Sequence, residues 1–122
     1  MNALQAAELA VLEEGREWMR LRLERRLQAE ADAVASVDTR SARALRDVRR
    51  RALPLRTVVG EVCLQVDYGR SPTSGAWINP VREAWGLGRT ERISPELQAR
   101  LCHTVTVAGS YEACLLYTSR CV

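Results

Sequence analysis

The sequence predicts an α+β domain in which a long N-terminal helix leads into a β-hairpin, an aromatic loop, a C-terminal helix and the start of a helix-turn-helix. Three observations carry this. The stretch from about Ala3 to Ser36 has no proline, is rich in Ala, Leu, Glu and Arg, and repeats its apolar residues at helical spacing. Leu53 to Val59 and Val62 to Tyr68 are β-rich runs separated by Gly60-Glu61. Ser94-Pro95-Glu96 sets an N-cap residue, a proline and an acid in the order that opens a helix.

In the first segment Leu9, Leu12, Met19, Leu23, Leu27 and Val34 stand three, four or seven apart, or at multiples of these, and fall on one helix face, with Gly15 the only breaker. The opposite face is charged, and Glu17-Arg20 and Arg26-Glu30 are spaced to pair across a turn. Val37 to Ser41 lacks periodicity and reads as a turn or linker. A basic linker or short helix follows to residue 52, carrying Arg43, Arg46, Arg49, Arg50 and Arg51. Gly at the first central position suits a type II′ turn, so the hairpin is expected to reverse at Gly60-Glu61. In its second strand Val62, Leu64, Val66 and Tyr68 alternate with Cys63, Gln65 and Asp67, predicting one buried and one wet face. Gly69 to Gly88 is loop-rich, with Trp77 and Trp85 as core anchors. Leu97, Leu101, Val105 and Ala108 give the next helix an apolar stripe, Gly109 ends it, and Ser110 to Ala113 looks like the first turn of another.

A chain of 122 residues is enough for one small domain. All 18 basic residues are Arg, with no Lys and no Phe, as in a GC-rich coding sequence. Residues 16–56 hold 12 Arg against 6 acids, whereas residues 57–113 hold 5 against 6. That asymmetry suggests a polyanionic partner for the N-terminal half. Cys63 and Cys102 form neither a disulfide framework nor a metal clip, and read as small buried hydrophobes in a reducing compartment. No basic, apolar leader and no 18-residue apolar run occurs, so a cytoplasmic protein without membrane contact is expected.

Cys114 to Ser119 are the residues that TGT CTC TTA TAC ACA TCT encodes, bases that resemble a transposon end used as a sequencing-library adapter. Residues 114–122 are therefore expected to be adapter-encoded and are set aside from the fold reading. The alternative is a natural chain that ends in this hexapeptide. The expected divisions are 1–36 (amphipathic helix), 37–52 (basic linker or short helix), 53–113 (hairpin, loop and helix) and 114–122 (tail).

Arg56-Thr57-Val58-Val59-Gly60-Glu61-Val62, Asp67-Tyr68-Gly69, Pro80, Trp85-Gly86-Leu87, Ile93-Ser94-Pro95-Glu96-Leu97 and Ser110-Tyr111-Glu112-Ala113 occur in that order. The series resembles the N-terminal region of bacterial insertion-sequence transposases of the Kra-type and related Lre-type families, over about Arg49 to Ala113. The resemblance implies a fragment that recognises transposon-end DNA and precedes a DDE/D catalytic domain of RNase H-like fold. Divalent metal, Mg, is expected only for that missing catalytic domain, where carboxylates on separate strands hold two ions for phosphoryl transfer. Many relatives carry cysteine pairs after the hairpin, as for a zinc knuckle, but residues 70–79 contain none, so no metal site is carried over.

Arg43, Arg46, Arg49, Arg50, Arg51 and Arg56 are the candidate DNA-binding residues, suited to phosphates rather than bases. The competing use is a solvated surface in a GC-rich genome. Asp38, Asp67, Glu83 and Glu91 lie on the hairpin, in loops or in linkers with no sheet to converge them, and no catalytic residue is assigned. His103 stands alone beside Cys102 and reads as structural. Trp77 and Trp85 could stack on bases, but the core-anchor use is favoured. The apolar stripe of the first helix is also a candidate homodimer seam. A protein-interaction or dimerisation module without DNA binding is the competing functional class.

Overall fold

The computed structural model describes residues 2–107. The expected helix stop at Gly109, the Ser110 to Ala113 turn and the tail 114–122 lie outside the described residues. Helix α1 spans Ala3–Ala33. It starts at Asn2 because a capping box forms there: Asn2 Oδ1 accepts from the Gln5 N–H at 2.8 Å, and Gln5 Oε1 accepts from the Asn2 N–H at 3.3 Å. The helix stops at an extended Val34, short of Ser36, whose hydroxyl instead donates to Asp67 at 2.7 Å.

The expected turn after the helix is a small antiparallel ribbon, β1 (Val37–Asp38) with β2 (Arg43–Ala44). Asp38 at its base is buried, and its carboxylate accepts from the Ser71 hydroxyl and from the Arg40 N–H. These bonds hold the carboxyl below its usual range, the Ser71 bond most strongly.

The hairpin is longer than expected. Strand β3 runs Arg46–Thr57 and β4 runs Gly60–Arg70, so Arg46, Arg49, Arg50 and Arg51, expected in a linker or short helix, lie on β3. Arg is a good helix former, but residues 49–51 face a partner strand in register (Arg49 with Tyr68, Arg50 with Asp67, Arg51 with Val66), and pairing overrides propensity. The turn also lies elsewhere than expected. Val58 and Val59 form it, not Gly60 and Glu61, because Thr57 pairs with Gly60 and the Thr57 hydroxyl donates to the Gly60 carbonyl at 2.7 Å. Both valines keep negative φ, and the positive φ of 121° falls on Gly60 just after them, where a glycine absorbs the twist of an ordinary turn. A bulge lies between Arg46 and Arg49, with Asp47 at φ 51°.

Strand β5 (Trp77–Ile78) pairs with Gly69 and Arg70, giving the order β3-β4-β5. Short helix α2 (Pro80–Ala84) follows, its Arg82 N–H donating to Asn79 Oδ1. Helix α3 (Pro95–Val107) opens as expected, with Ser94 Oγ accepting from the Leu97 N–H at 3.1 Å. Leu53, Leu55, Val62, Leu64 and Val66 on one sheet face pack with Ala31 of α1 and Val81 of α2, while Leu27, Val34, Trp85 and Leu87 close the margin. The other face is wet, and Cys63 lies exposed on it, since it occupies the alternate position of β4 and is not the buried hydrophobe expected. Cys102 is half-buried.

Both edges of the hairpin are covered in part. Arg20, Glu24 and Gln28 of α1 form a ladder along β4: Arg20 donates to the Glu61 carbonyl, Glu24 accepts from the Cys63 N–H, and Gln28 both donates to and accepts from Gln65 at 2.9 Å. Three polar side chains thus do what a fourth strand would do. On the β3 side the Arg56 N–H donates to the Arg92 carbonyl and the Ser94 N–H to the Arg56 carbonyl. Pro54, with no N–H to offer, sits on that same outer strand. Leu23 and Leu27 in the second half of α1 are half-buried, but Leu9, Leu12 and Met19 of the expected stripe are exposed. Among the described residues no helix is long and apolar enough to cross a membrane.

Candidate nucleic-acid interface

Strand alternation decides where the arginines go. Arg49 and Arg51 share a face with Tyr68, while Arg50 between them turns to the other side. There Arg50 meets Asp67, its cross-strand partner, at 3.2 Å and Asp32 of α1 at 3.5 Å. The first face carries an aromatic and cationic cluster. The rings of Tyr68 and Trp77 lie 4.8 Å apart at 33°, brought together because β5 pairs Trp77 with Arg70, two residues after Tyr68. Guanidinium groups stand over these rings: Arg51 over Tyr68 at 5.3 Å, and Arg49 and Arg70 over Trp77 at 5.7 and 5.0 Å.

Beside this cluster lies a cleft of about 490 Å³, between the sheet, α2 and the loop that follows it. Arg51, Arg82, Arg89 and Arg92 line it together with Tyr68 and Trp77, and among the described residues no acid does. Arg82 is fixed from behind, its Nη1 donating to the Gly88 carbonyl at 2.7 Å and the Glu91 carbonyl at 2.8 Å. Burial pushes its guanidinium below its ordinary value, Arg51 and Arg92 add to that push by repulsion, and Glu91 opposes it. The cleft therefore gathers positive charge that a bound anion would relieve.

Of the six candidate DNA-binding arginines, Arg49 and Arg51 belong to the cluster. Arg46 is exposed at the bulge, in register with Arg70. Arg43 is exposed on β2 and Arg56 is exposed beside the turn, in register with Glu61. Arg46 and Arg56 are ten residues apart on one strand, roughly 30 Å, so the six do not make one patch. Trp85 packs against the core. Trp77 does not, because its strand pairing places it over Tyr68 with 37 % of its surface exposed. His103 is exposed.

Sequence reasoning missed Arg70, Arg82, Arg89, Arg92 and Tyr68. The alternation of Tyr68 with Arg70 was a signal for the first and last of these, but the β4-β5 register that adds Trp77 has no mark in the sequence. Among the described residues no three His, Cys, Asp or Glu side chains gather to hold a metal ion. No protein-family model, curated protein or solved structure matches the chain.

Proposed function

We propose that this chain binds DNA and serves as the end-recognition part of a DNA transposase whose carboxylates and Mg belong to a separate catalytic domain. The observation that carries the reading is the cluster of Arg49, Arg51 and Arg70 over Tyr68 and Trp77, continued by Arg46. Side chains two apart on a strand advance by about 6.7 Å on one face, so the arginines offer a row of cations to a phosphate backbone. The family resemblance of residues 49–113 supplies the kind of DNA, the transposon end. The reading places the protein in the cytoplasm.

The experiment is a salt titration of duplex binding by fluorescence anisotropy. Log K is expected to fall with log salt by about 0.9 per neutralised phosphate. Replacing Arg49, Arg51 and Arg70 with Ser removes up to about 2.7 from that slope. Binding that persists unchanged in the triple variant refutes the assignment.

A second reading concerns α1. Leu4, Val11 and Trp18 recur every seven residues and are 68 %, 67 % and 61 % exposed, about 180° round the helix from Leu27 in the case of Trp18. That seam suits a second copy of the chain. Sedimentation equilibrium of the wild type and of Val11→Glu separates the two: a dimer lost on substitution supports the seam, and a monomer in both removes it.

A further inference from the structure

We propose that the cleft bounded by Tyr68, Trp77, Arg51, Arg82, Arg89 and Arg92 receives an unpaired nucleotide, so that this protein grips DNA where a base has left the duplex stack. The proposal rests on the DNA-binding reading and adds the form of DNA recognised. A base inside a duplex shows a protein only its edges. Trp77, 37 % exposed beside Tyr68, and the guanidinium groups over the two rings offer it flat surfaces, which a base can use only when unstacked.

The rest of the site fits the same ligand. A volume of about 490 Å³ lies in the range of small-molecule pockets, large enough for a nucleotide and far too small for a duplex. Guanidinium planes are themselves stacking surfaces for bases, and Arg49 and Arg70 over Trp77 extend the platform. Arg82, Arg89 and Arg92 supply cations on the other side of the cleft, where the nucleotide's phosphate would sit. This wall is set in advance, because Arg82 bonds the carbonyls of Gly88 and Glu91 and thereby holds the loop that carries Arg89 and Arg92. Little ordering remains to be done on binding. An acidic peptide would satisfy the arginines but has no use for the paired rings.

The test uses the full chain and three labelled DNAs: a blunt 20-base-pair duplex, the same duplex with a three-nucleotide single-stranded extension, and the extended duplex with 2-aminopurine at the first unpaired position. The extended duplex is expected to bind about 5-fold or more tighter than the blunt one, the low end of base-aromatic stacking. 2-Aminopurine emission is expected to be quenched on binding. Arg89→Ser with Arg92→Ser should abolish both effects while leaving blunt-duplex affinity unchanged, and Trp77→Leu should abolish both effects even where the loss of its contacts to Arg49 and Arg70 also lowers blunt-duplex affinity, with circular dichroism verifying the fold.

Equal binding of blunt and extended duplexes without quenching overturns the cleft proposal and leaves duplex binding standing. Absence of binding to any of the three overturns the DNA reading and this proposal with it. Heparin competing equally against both duplexes, with Trp77→Leu silent, identifies a general polyanion surface and also overturns it.

Discussion

Gly69 offers the sharpest test of how the hairpin is built. A methyl group added there lies 2.8 Å from the Arg46 carbonyl oxygen, 3.0 Å from Leu45 Cβ and 3.3 Å from Val48 Cγ2. Ordinary contact begins near 3.4 Å. The nearest atom is backbone on the opposing strand at the bulge, and Leu45 is buried, so neither swings aside as a long side chain does. The strands must part, and overpacking of this kind costs about 1–3 kcal/mol. For a domain of this size that is a fall in Tm of roughly 4–12 °C, read by circular dichroism. The same bulge sets Arg49 over Trp77, so duplex affinity should fall with stability. Gly15→Ala is the opposite control: nothing lies within 4 Å of the added methyl, and α1 should gain up to about 1 kcal/mol of local helix stability, seen as ellipticity at 222 nm. A Gly69→Ala protein that melts within about 1 °C of the wild type refutes the close-approach argument.

Gln28→Ala removes both hydrogen bonds to the Gln65 backbone and should lower the urea midpoint by the equivalent of about 1–2 kcal/mol, with an unchanged m-value. Asp38 has its folded pKa below the ordinary value near 3.8, so it stabilises the fold above that pH, and the contribution is lost as pH falls through the lower folded value. Urea midpoints measured from pH 5 to pH 2 should therefore drop more steeply for the wild type than for Asp38→Asn; parallel curves would discount the Ser71 bond. Arg50→Ser and Arg51→Ser should differ although they are neighbours. The first loses two half-exposed ion pairs, worth at most about 1 kcal/mol in total, with little change in DNA affinity. The second should lower the salt slope by about 0.9. Equal effects on binding would contradict the assignment of faces.

The elements that were legible in the sequence are those fixed by local chemistry. The helix of residues 3–33, the alternation of Val62, Leu64 and Val66, and the Ser94-Pro95 start each depend on neighbours within a few positions. Glycine suits the centre of a type II′ turn, but the Thr57 hydroxyl holds the turn at Val58-Val59 and leaves Gly60 to follow it. The two alternatives differ by an even number of residues, so the same residues stay on the buried face, and the pattern of burial could not distinguish them. Charge by segment also points only partly to the cleft and the aromatic cluster beside it. Arg51 comes from the strongly basic half, but Arg70, Arg82, Arg89 and Arg92 come from the half with one net negative charge. Their convergence depends on β5 pairing and on the Arg82 bonds to the following loop, and neither has a spacing rule.

The ladder from Arg20, Glu24 and Gln28 to Glu61, Cys63 and Gln65 behaves as a vernier. Four helical residues advance about 6.0 Å and two strand residues about 6.8 Å, so each rung slips by about 0.8 Å against the next. Each step of four also turns the helix by about 40°, carrying the next side chain away from the strand. Three rungs span about 80° and about 1.6 Å of slip, within the reach of long flexible side chains, and a fourth or fifth would exceed it. A straight helix can therefore guard only about six residues of a strand edge by this means. The remainder of β4 needs a different partner, and that is where β5 pairs with it and brings Trp77 against Tyr68.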